Sequence, residues 1–163
     1  MTIHQETPVT TVHLVRKALS VTVEAVTHVA TPPERVWSVL TDTDAYPSWN
    51  PFVRSISGQL VAGERLTVAL KPTDAEPRTM APTVVEVVPG RSFTWLGKVG
   101  VRGVLDGRHR FTVTADGDGS RLVQHERLSG LLVPAFRRLL TVDTPAAFVA
   151  SNDALKARAE LDG

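Results

Sequence analysis

The sequence predicts an α+β domain in which a curved, mostly antiparallel sheet packs on a long C-terminal helix. Two observations suggest the sheet: about six strand-like runs follow one another, and two of these flank the turn-forming loop "DGDGS" at 116–120. A third suggests the helix, because apolar residues recur at helical spacing from about 145 to 161. Consecutive strands pair antiparallel, and a helix covers the apolar face of such a sheet.

The composition is that of an ordinary globular protein, and it limits the classes of partner that the chain can have. The 163 residues are 42% hydrophobic and 21% charged, with a formal net charge of +1 and no cysteine. The balanced charge argues against a nucleic-acid partner, and no apolar run is long enough for an integral membrane segment. The lack of cysteine excludes disulfides and thiolate sites. Because residues 1–6 do not resemble a signal peptide, we expect a soluble, cytoplasmic protein.

The N-terminal region divides into an uncertain part and a clear strand. Residues 1–20 have no sustained period and fit either an irregular arm or an extra edge strand. A single domain is expected from 21 to 163, because this length matches one hydrophobic core. The β-branched run "VTVEAVTHVA" at 21–30 predicts its first strand.

A short helix follows, and its start has the spacing of a capping box. Thr31 is the expected N-cap, Pro32 the first helical residue, and Glu34 the residue that reaches back to the cap. The helix should end near Asp42, where turn-forming residues begin.

The connector "AYPSWNPFV" at 45–53 combines two prolines with aromatic bulk. The prolines exclude a long regular element, so we expect a rigid link into the next strand. Trp49 and Phe52 can cap apolar volume there. Asn50 can satisfy the backbone groups that the prolines leave without partners.

The middle of the chain predicts a meander and a hairpin. Strands are expected at 52–60, 65–71, 79–88 and 92–99, and the hairpin pairs 107–115 with 120–130. Turn-forming residues separate all of them, which suits antiparallel neighbours.

Alternation within the hairpin places polar groups among apolar ones. One face of the first strand carries His109 and Phe111, and the matching row of the second carries Gln124, Glu126 and Leu128. Buried ionisable groups are costly unless they are paired. His109 and Glu126 must therefore bond to each other or to a neighbouring group, or else meet a bound molecule.

Other elements supply an expected apolar lining and one more polar group. Such residues share the inner face of a strand or one stripe of the terminal helix, and they are Leu66, Val68, Leu70, Phe93, Trp95, Phe148, Asn152 and Leu155. The sequence by itself leaves open whether these side chains line a cavity or fill it.

Five short segments of this sequence resemble those of a known family, and the resemblance covers residues 21–161. In order they are "PPERVWSVLTDTDAYPSWNPFV", "TVVEVVPGRSFTWLG", "LDGRHRFTV", "QHERLSGLL" and "FVASNDALKARAEL". The chain resembles the SRPBCC superfamily, which has the START-like or helix-grip fold, and in particular its polyketide cyclase/dehydrase-like branch. The resemblance implies a seven-stranded antiparallel sheet that grips the terminal helix, two short helices after the first strand, and a hydrophobic cavity.

The resemblance leaves three functions open. The first is binding of a lipophilic or aromatic small molecule by the inner residues, with His109, Gln124, Glu126 and Asn152 orienting it. The second is a polyketide aromatase/cyclase or dehydratase in which His109 and Glu126 act as acid and base. The third is a protein-interaction module that resembles chaperone activators and uses the apolar segment 130–140.

That segment, "GLLVPAFRRLL", fits a lid, an interface with a second subunit or ordinary core, so a homodimer is possible. No metal or cofactor is expected. The five histidines lack metal-ligand spacing, and no phosphate-binding or dinucleotide motif occurs.

Overall fold

The computed structural model describes residues 10–71 and 76–161. The first nine residues of the expected arm lie outside this range, as do residues 72–75 between the strands expected at 65–71 and 79–88. The strands are β1 Thr10–Lys17, β2 Ser20–Val29, β3 Val53–Ser57, β4 Thr67–Leu70, β5 Arg78–Met80, β6 Thr83–Val88, β7 Ser92–Val99, β8 Leu105–Asp116 and β9 Gly119–Ser129. The helices are α1 Pro33–Thr41, α2 Tyr46–Trp49 and α3 Thr144–Leu161, with a 3₁₀ turn at Thr43–Ala45 and a π-helical turn at Leu139–Asp143.

The described strands form two antiparallel sheets, whereas the family resemblance implied a single sheet of seven strands. Six pair in the order β1-β2-β9-β8-β7-β6, and three pair in the order β3-β4-β5. The expected strand at 79–88 divides at Ala81 and Pro82, and its two halves join different sheets. Proline lacks the N–H that a continuing ladder needs, so the chain changes sheets there.

An edge strand precedes the strand that the sequence predicted as the first of the domain. β1 pairs with β2 along its whole length, from Thr10 opposite Thr27 to Lys17 opposite Ser20. This pairing brings the start of β1 next to α3, where Thr10 contacts Asp153.

The prediction of a capping box at α1 is wrong. The helix begins at Pro33, Pro32 is the N-cap residue, and no side chain caps the first turn. Thr31 is buried, and its carbonyl accepts a hydrogen bond of 2.8 Å from Ser120. The end of the β8–β9 hairpin therefore holds this residue away from a capping geometry.

The hairpin of β8 and β9 fixes the positions of the inner polar residues. The two strands pair without interruption from Asp106 opposite Ser129 to Asp116 opposite Gly119. Gly117 takes a φ of +58° in the tight turn, which glycine adopts without steric cost. Because no bulge interrupts the ladder, each strand keeps its predicted inner row.

The core between the sheets and α3 consists of two hydrophobic clusters. The larger surrounds α1 and includes Leu40, Leu66, Phe93 and Leu155. The smaller lies against the other end of the sheet and is centred on Val21, Val23, Leu128, Leu140 and Phe148. Over the described residues, no helix is both long and apolar enough to cross a membrane.

Candidate ligand-binding cavity

A cavity of about 240 Å³ lies between the two core clusters. Its walls come from both sheets, the π-helical turn and the start of α3. They are formed by Phe52, Val53, Leu70, Arg78, Met80, Trp95, Gly97, Lys98, Val99, Leu105, Gly107, His109, Glu126, Leu128, Leu139, Leu140, Asp143, Thr144 and Phe148. The inner wall is mainly apolar and aromatic, which is typical of small-molecule sites.

Two glycines leave space in the sheet wall. Gly97 and Gly107 are register partners on β7 and β8, and both border the cavity. A Cβ atom at Gly107 would lie 3.1 Å from Glu126 Oε1 and 3.3 Å from a methyl group of Leu128. A Cβ atom at Gly97 would lie 2.9 Å from the Met80 methyl group. Larger side chains at these positions would occupy the cavity.

Glu126 is the acidic group of the inner wall. It lies on β9 opposite His109, is partly buried, and borders the cavity. No hydrogen-bond or ion-pair partner of its carboxyl group occurs in the described part of the chain. Burial disfavours the charged form, which raises the pKa of Glu126 to about 7. Glu126 is therefore poised to gain or lose a proton near neutral pH.

His109 is held among aromatic rings. Its imidazole stacks on Phe111 and Phe148 at centroid distances of 4.2 and 4.9 Å, and it meets Trp95 edge to face at 5.5 Å. Burial lowers the pKa of His109 to about 3, so the ring is neutral at physiological pH. It can donate one hydrogen bond and accept another, but it carries no charge.

The partner of His109 is Gln124, which resolves a question that the sequence left open. His109 Nε2 lies 3.1 Å from Gln124 Oε1. Gln124 Nε2 in turn donates to Asn152 Oδ1 on α3 at 2.5 Å. His109 and Glu126 thus do not satisfy each other, although they are cross-strand neighbours.

The mouth of the cavity is charged, in contrast to its inner wall. Arg78, Lys98 and Asp143 border the cavity and are exposed. Asp143 belongs to the π-helical turn, a local irregularity that often occurs at functional sites. Nothing in the spacing of the sequence indicated that this turn would border the cavity.

The connector at 45–53 stabilises the base of the cavity. Asn50 Oδ1 accepts hydrogen bonds from the backbone N–H groups of Phe52 and Val53 at 2.9 and 2.8 Å, and from the Ser151 hydroxyl at 3.2 Å. Phe52 and Val53 border both the cavity and an inner void of about 20 Å³. Trp49 also borders this void, and its buried Nε1 has no hydrogen-bond partner within the described ranges.

The residues predicted from the sequence separate into two groups. Leu70, Trp95, His109, Glu126, Leu128 and Phe148 border the cavity. Phe111 and Gln124 border only the inner void, and Asn152 is fully buried behind Gln124. Leu66 and Val68 are fully buried in the larger cluster and do not border the cavity. Phe93 also packs there and borders a separate groove beside Trp37.

The segment 130–140 has mixed burial. Val133 and Leu140 belong to the smaller core cluster, whereas Leu131 and Phe136 are exposed. Leu139 and Leu140 border the cavity. The segment therefore contributes to both the core and the cavity wall. Within residues 10–71 and 76–161, no group of three histidine, aspartate or glutamate side chains is placed to hold a metal ion.

The antiparallel sheets, the C-terminal helix and the cavity between them define the helix-grip class that the sequence resembles. A model of the family described as "Polyketide cyclase / dehydrase and lipid transport" matches residues 20–160. The chain belongs to this family. A search of curated proteins finds no match.

Solved structures share the fold at low sequence identity. Protein Ms6760 from Mycobacterium smegmatis is 16% identical with a TM-score of 0.70, and the match covers 94% of this chain and all of that one. The di-domain ARO/CYC proteins BexL, from the BE-7585A biosynthetic pathway, and StfQ, from the steffimycin pathway, are 12% and 16% identical with TM-scores of 0.71. Those matches cover 89% and 88% of this chain but 52% of each di-domain chain. These similarities confirm the helix-grip fold.

Proposed function

We propose that this protein binds a lipophilic or aromatic small molecule in the cavity between the sheets and α3. One observation carries the proposal: an apolar cavity of about 240 Å³ contains the carboxyl group of Glu126, which no described residue pairs. A protein that filled its interior would gain dispersion energy and avoid burying this group. The family membership supports the same function.

The dimensions of the cavity favour a small ligand. About 240 Å³ is below the range of roughly 300–1,000 Å³ that is common for ligand pockets. Two or three fused rings or a short acyl chain would fill the inner part. A longer ligand would extend past the charged residues Arg78, Lys98 and Asp143 at the mouth.

Binding can be tested with a substitution in the cavity wall whose larger side chain fills the cavity. Gly107→Val would place methyl groups against Glu126 and Leu128. The control Thr112→Val puts a valine on the other face of β8, where it only exchanges a hydroxyl for a methyl group of similar size. We expect 2-naphthol to raise the melting temperature of the wild type and of Thr112→Val, and to leave that of Gly107→Val unchanged. Native mass spectrometry of the purified protein should detect bound lipid or aromatic compounds. Equal responses of all three proteins, with no bound compound, would contradict the proposal.

A second candidate function is general acid–base catalysis in the same cavity, as in a polyketide aromatase/cyclase or dehydratase. The specific observation that favours it is that burial raises the pKa of Glu126 to about 7, where a carboxyl group can both donate and accept a proton. His109 would then orient the substrate as a neutral hydrogen-bonding group. The fold shared with ARO/CYC di-domain proteins is compatible with this candidate.

The two candidates differ in the effect of Glu126→Gln. For a binding protein, this substitution keeps the shape of the wall and should preserve ligand affinity within a few-fold. For an enzyme, it removes the titrating group and should abolish conversion of a poly-β-carbonyl test compound into an aromatic product, which is followed by absorbance. If the wild type does not convert such compounds, the catalytic candidate fails and the binding function is unaffected.

A further inference from the structure

A continuous series of hydrogen bonds leads from the cavity wall to the edge of the sheet. It begins with the contacts from His109 to Gln124 and from Gln124 to Asn152. Asn152 Nδ2 then lies 3.0 Å from the Thr27 hydroxyl on β2. The four residues lie on four different elements, β8, β9, α3 and β2, so the series crosses the interface between the sheet and α3.

The series ends at a carboxylate. The Thr27 hydroxyl lies 2.7 Å from the hydroxyl of Thr10, the first residue of β1. Thr10 in turn lies 2.5 Å from Asp153 Oδ1. Asp153 is partly buried on α3, directly after Asn152. The edge strand β1 thus supplies the link between the inner polar residues and Asp153.

The carboxylate sets the direction of the hydroxyl hydrogen bonds. A carboxylate only accepts, so Thr10 must donate its single hydroxyl proton to Asp153. Thr10 can then only accept from Thr27, and Thr27 must donate. With its own proton used, the Thr27 oxygen accepts from the amide group of Asn152.

A backbone carbonyl fixes the same direction independently. The Ala25 carbonyl, which can only accept, lies 3.4 Å from Asn152 Nδ2. Both anchors therefore orient the Asn152 amide with its nitrogen toward β2 and its oxygen toward Gln124. Gln124 must then present its nitrogen to Asn152 and its oxygen to the imidazole. An oxygen acceptor at this point requires that His109 Nε2 carries the proton.

We propose that this hydrogen-bond series holds His109 as the Nε2–H tautomer, so that Nδ1 is a hydrogen-bond acceptor and the cavity selects aromatic or lipophilic ligands that carry a hydroxyl group. The selection of ligands rests on the proposed binding function, whereas the tautomer does not. Phe111 and Phe148 stack on the imidazole, so a ligand can approach the ring only along its edge. Nε2 is occupied by Gln124, which leaves Nδ1 as the polar atom of that edge.

The tautomer can be measured directly in the unliganded protein. Long-range ¹H–¹⁵N correlation spectra distinguish protonated from unprotonated ring nitrogens, and His109→Phe identifies the His109 signals. We expect Nε2 protonated and Nδ1 unprotonated in the wild type, with an increased Nδ1–H fraction in Gln124→Leu. Should Gln124→Leu not fold, the wild-type spectrum still decides. A predominant Nδ1–H form in the wild type would overturn the inference.

The ligand selection needs a matched pair of compounds. 2-Naphthol and 2-methoxynaphthalene share their ring system, but only the first can donate a hydrogen bond to Nδ1. We expect calorimetry to show about tenfold tighter binding of 2-naphthol by the wild type, and no preference in His109→Phe. Equal affinities of the wild type would overturn the selection. Binding of neither compound would overturn the proposed function together with the selection, while the spectra judge the tautomer separately.

Discussion

His109 and Glu126 lie opposite each other on β8 and β9, yet the imidazole bonds diagonally to Gln124. The carboxyl group remains without a partner among the residues that the structure describes. The two groups consequently have different roles in the cavity. His109 is neutral and held in place, whereas Glu126 can change its charge near neutral pH.

Glu126 should make the folded protein less stable as the pH rises. Its pKa is about 7 in the folded state and 4.5 when unperturbed, so the folded state binds the proton more tightly. This stabilisation is complete below pH 4.5 and is lost as the pH rises to 7, which amounts to about 3 kcal/mol. Urea unfolding should therefore show that the free energy of unfolding of Glu126→Gln increases by about 3 kcal/mol relative to that of the wild type as the pH rises from 4.5 to 8. The exposed Glu64→Gln is the control, and an equal pH dependence of both variants would contradict this assignment.

His109 should make the folded protein less stable as the pH falls below 6.5. Burial lowers its pKa from 6.5 to about 3, so the folded state resists protonation and its contribution is complete only above pH 6.5. As the pH falls from 6.5 to 5, the free energy of unfolding of the wild type should decrease by about 2 kcal/mol relative to that of His109→Phe. The measurement is denaturant unfolding at both pH values, with the exposed His13→Gln as control. If the difference between wild type and His109→Phe did not change with pH, the imidazole would not be buried as described.

Ligand binding should take up protons near neutral pH. An apolar ligand would remove the remaining water from Glu126 and raise its pKa further above 7. At pH 7.5 we expect uptake of a fraction of one proton per ligand bound. Calorimetry in two buffers with different ionisation enthalpies, phosphate and Tris, measures this uptake. Glu126→Gln should bind without it, and proton uptake that persists in this variant would assign the effect to another group.

Asn50 should be important for the stability of the cavity base. Asn50→Ala removes the acceptor of two backbone N–H groups and of the Ser151 hydroxyl, all of them buried or partly buried. We expect a loss of about 2–4 kcal/mol in the free energy of unfolding, because these donors would remain unsatisfied. Asn50→Asp keeps the acceptor and serves as the comparison. A loss below about 1 kcal/mol for Asn50→Ala would show that water replaces the side chain there.

The sequence was sufficient to predict the general fold and the inner rows of the hairpin. Side chains on a strand alternate between the two faces of the sheet. This local pattern was enough to place His109, Phe111, Gln124 and Glu126 on one face. The terminal helix was equally predictable from its apolar spacing, and it begins one residue before the expected start at 145. These features depend on neighbours in the chain, which one sequence displays directly.

Only the tertiary structure decided which of those residues border empty space and which bond to one another. The cavity exists because the two core clusters do not merge, and the partner of His109 depends on Asn152, which is 43 positions away in the chain. The expected strand at 79–88 divides between two sheets at Pro82, and Thr10 contacts Asp153. Both features likewise depend on segments that are distant in sequence. Such distances arise from the packing of whole elements, so a local pattern determines the face of a residue but not its partner.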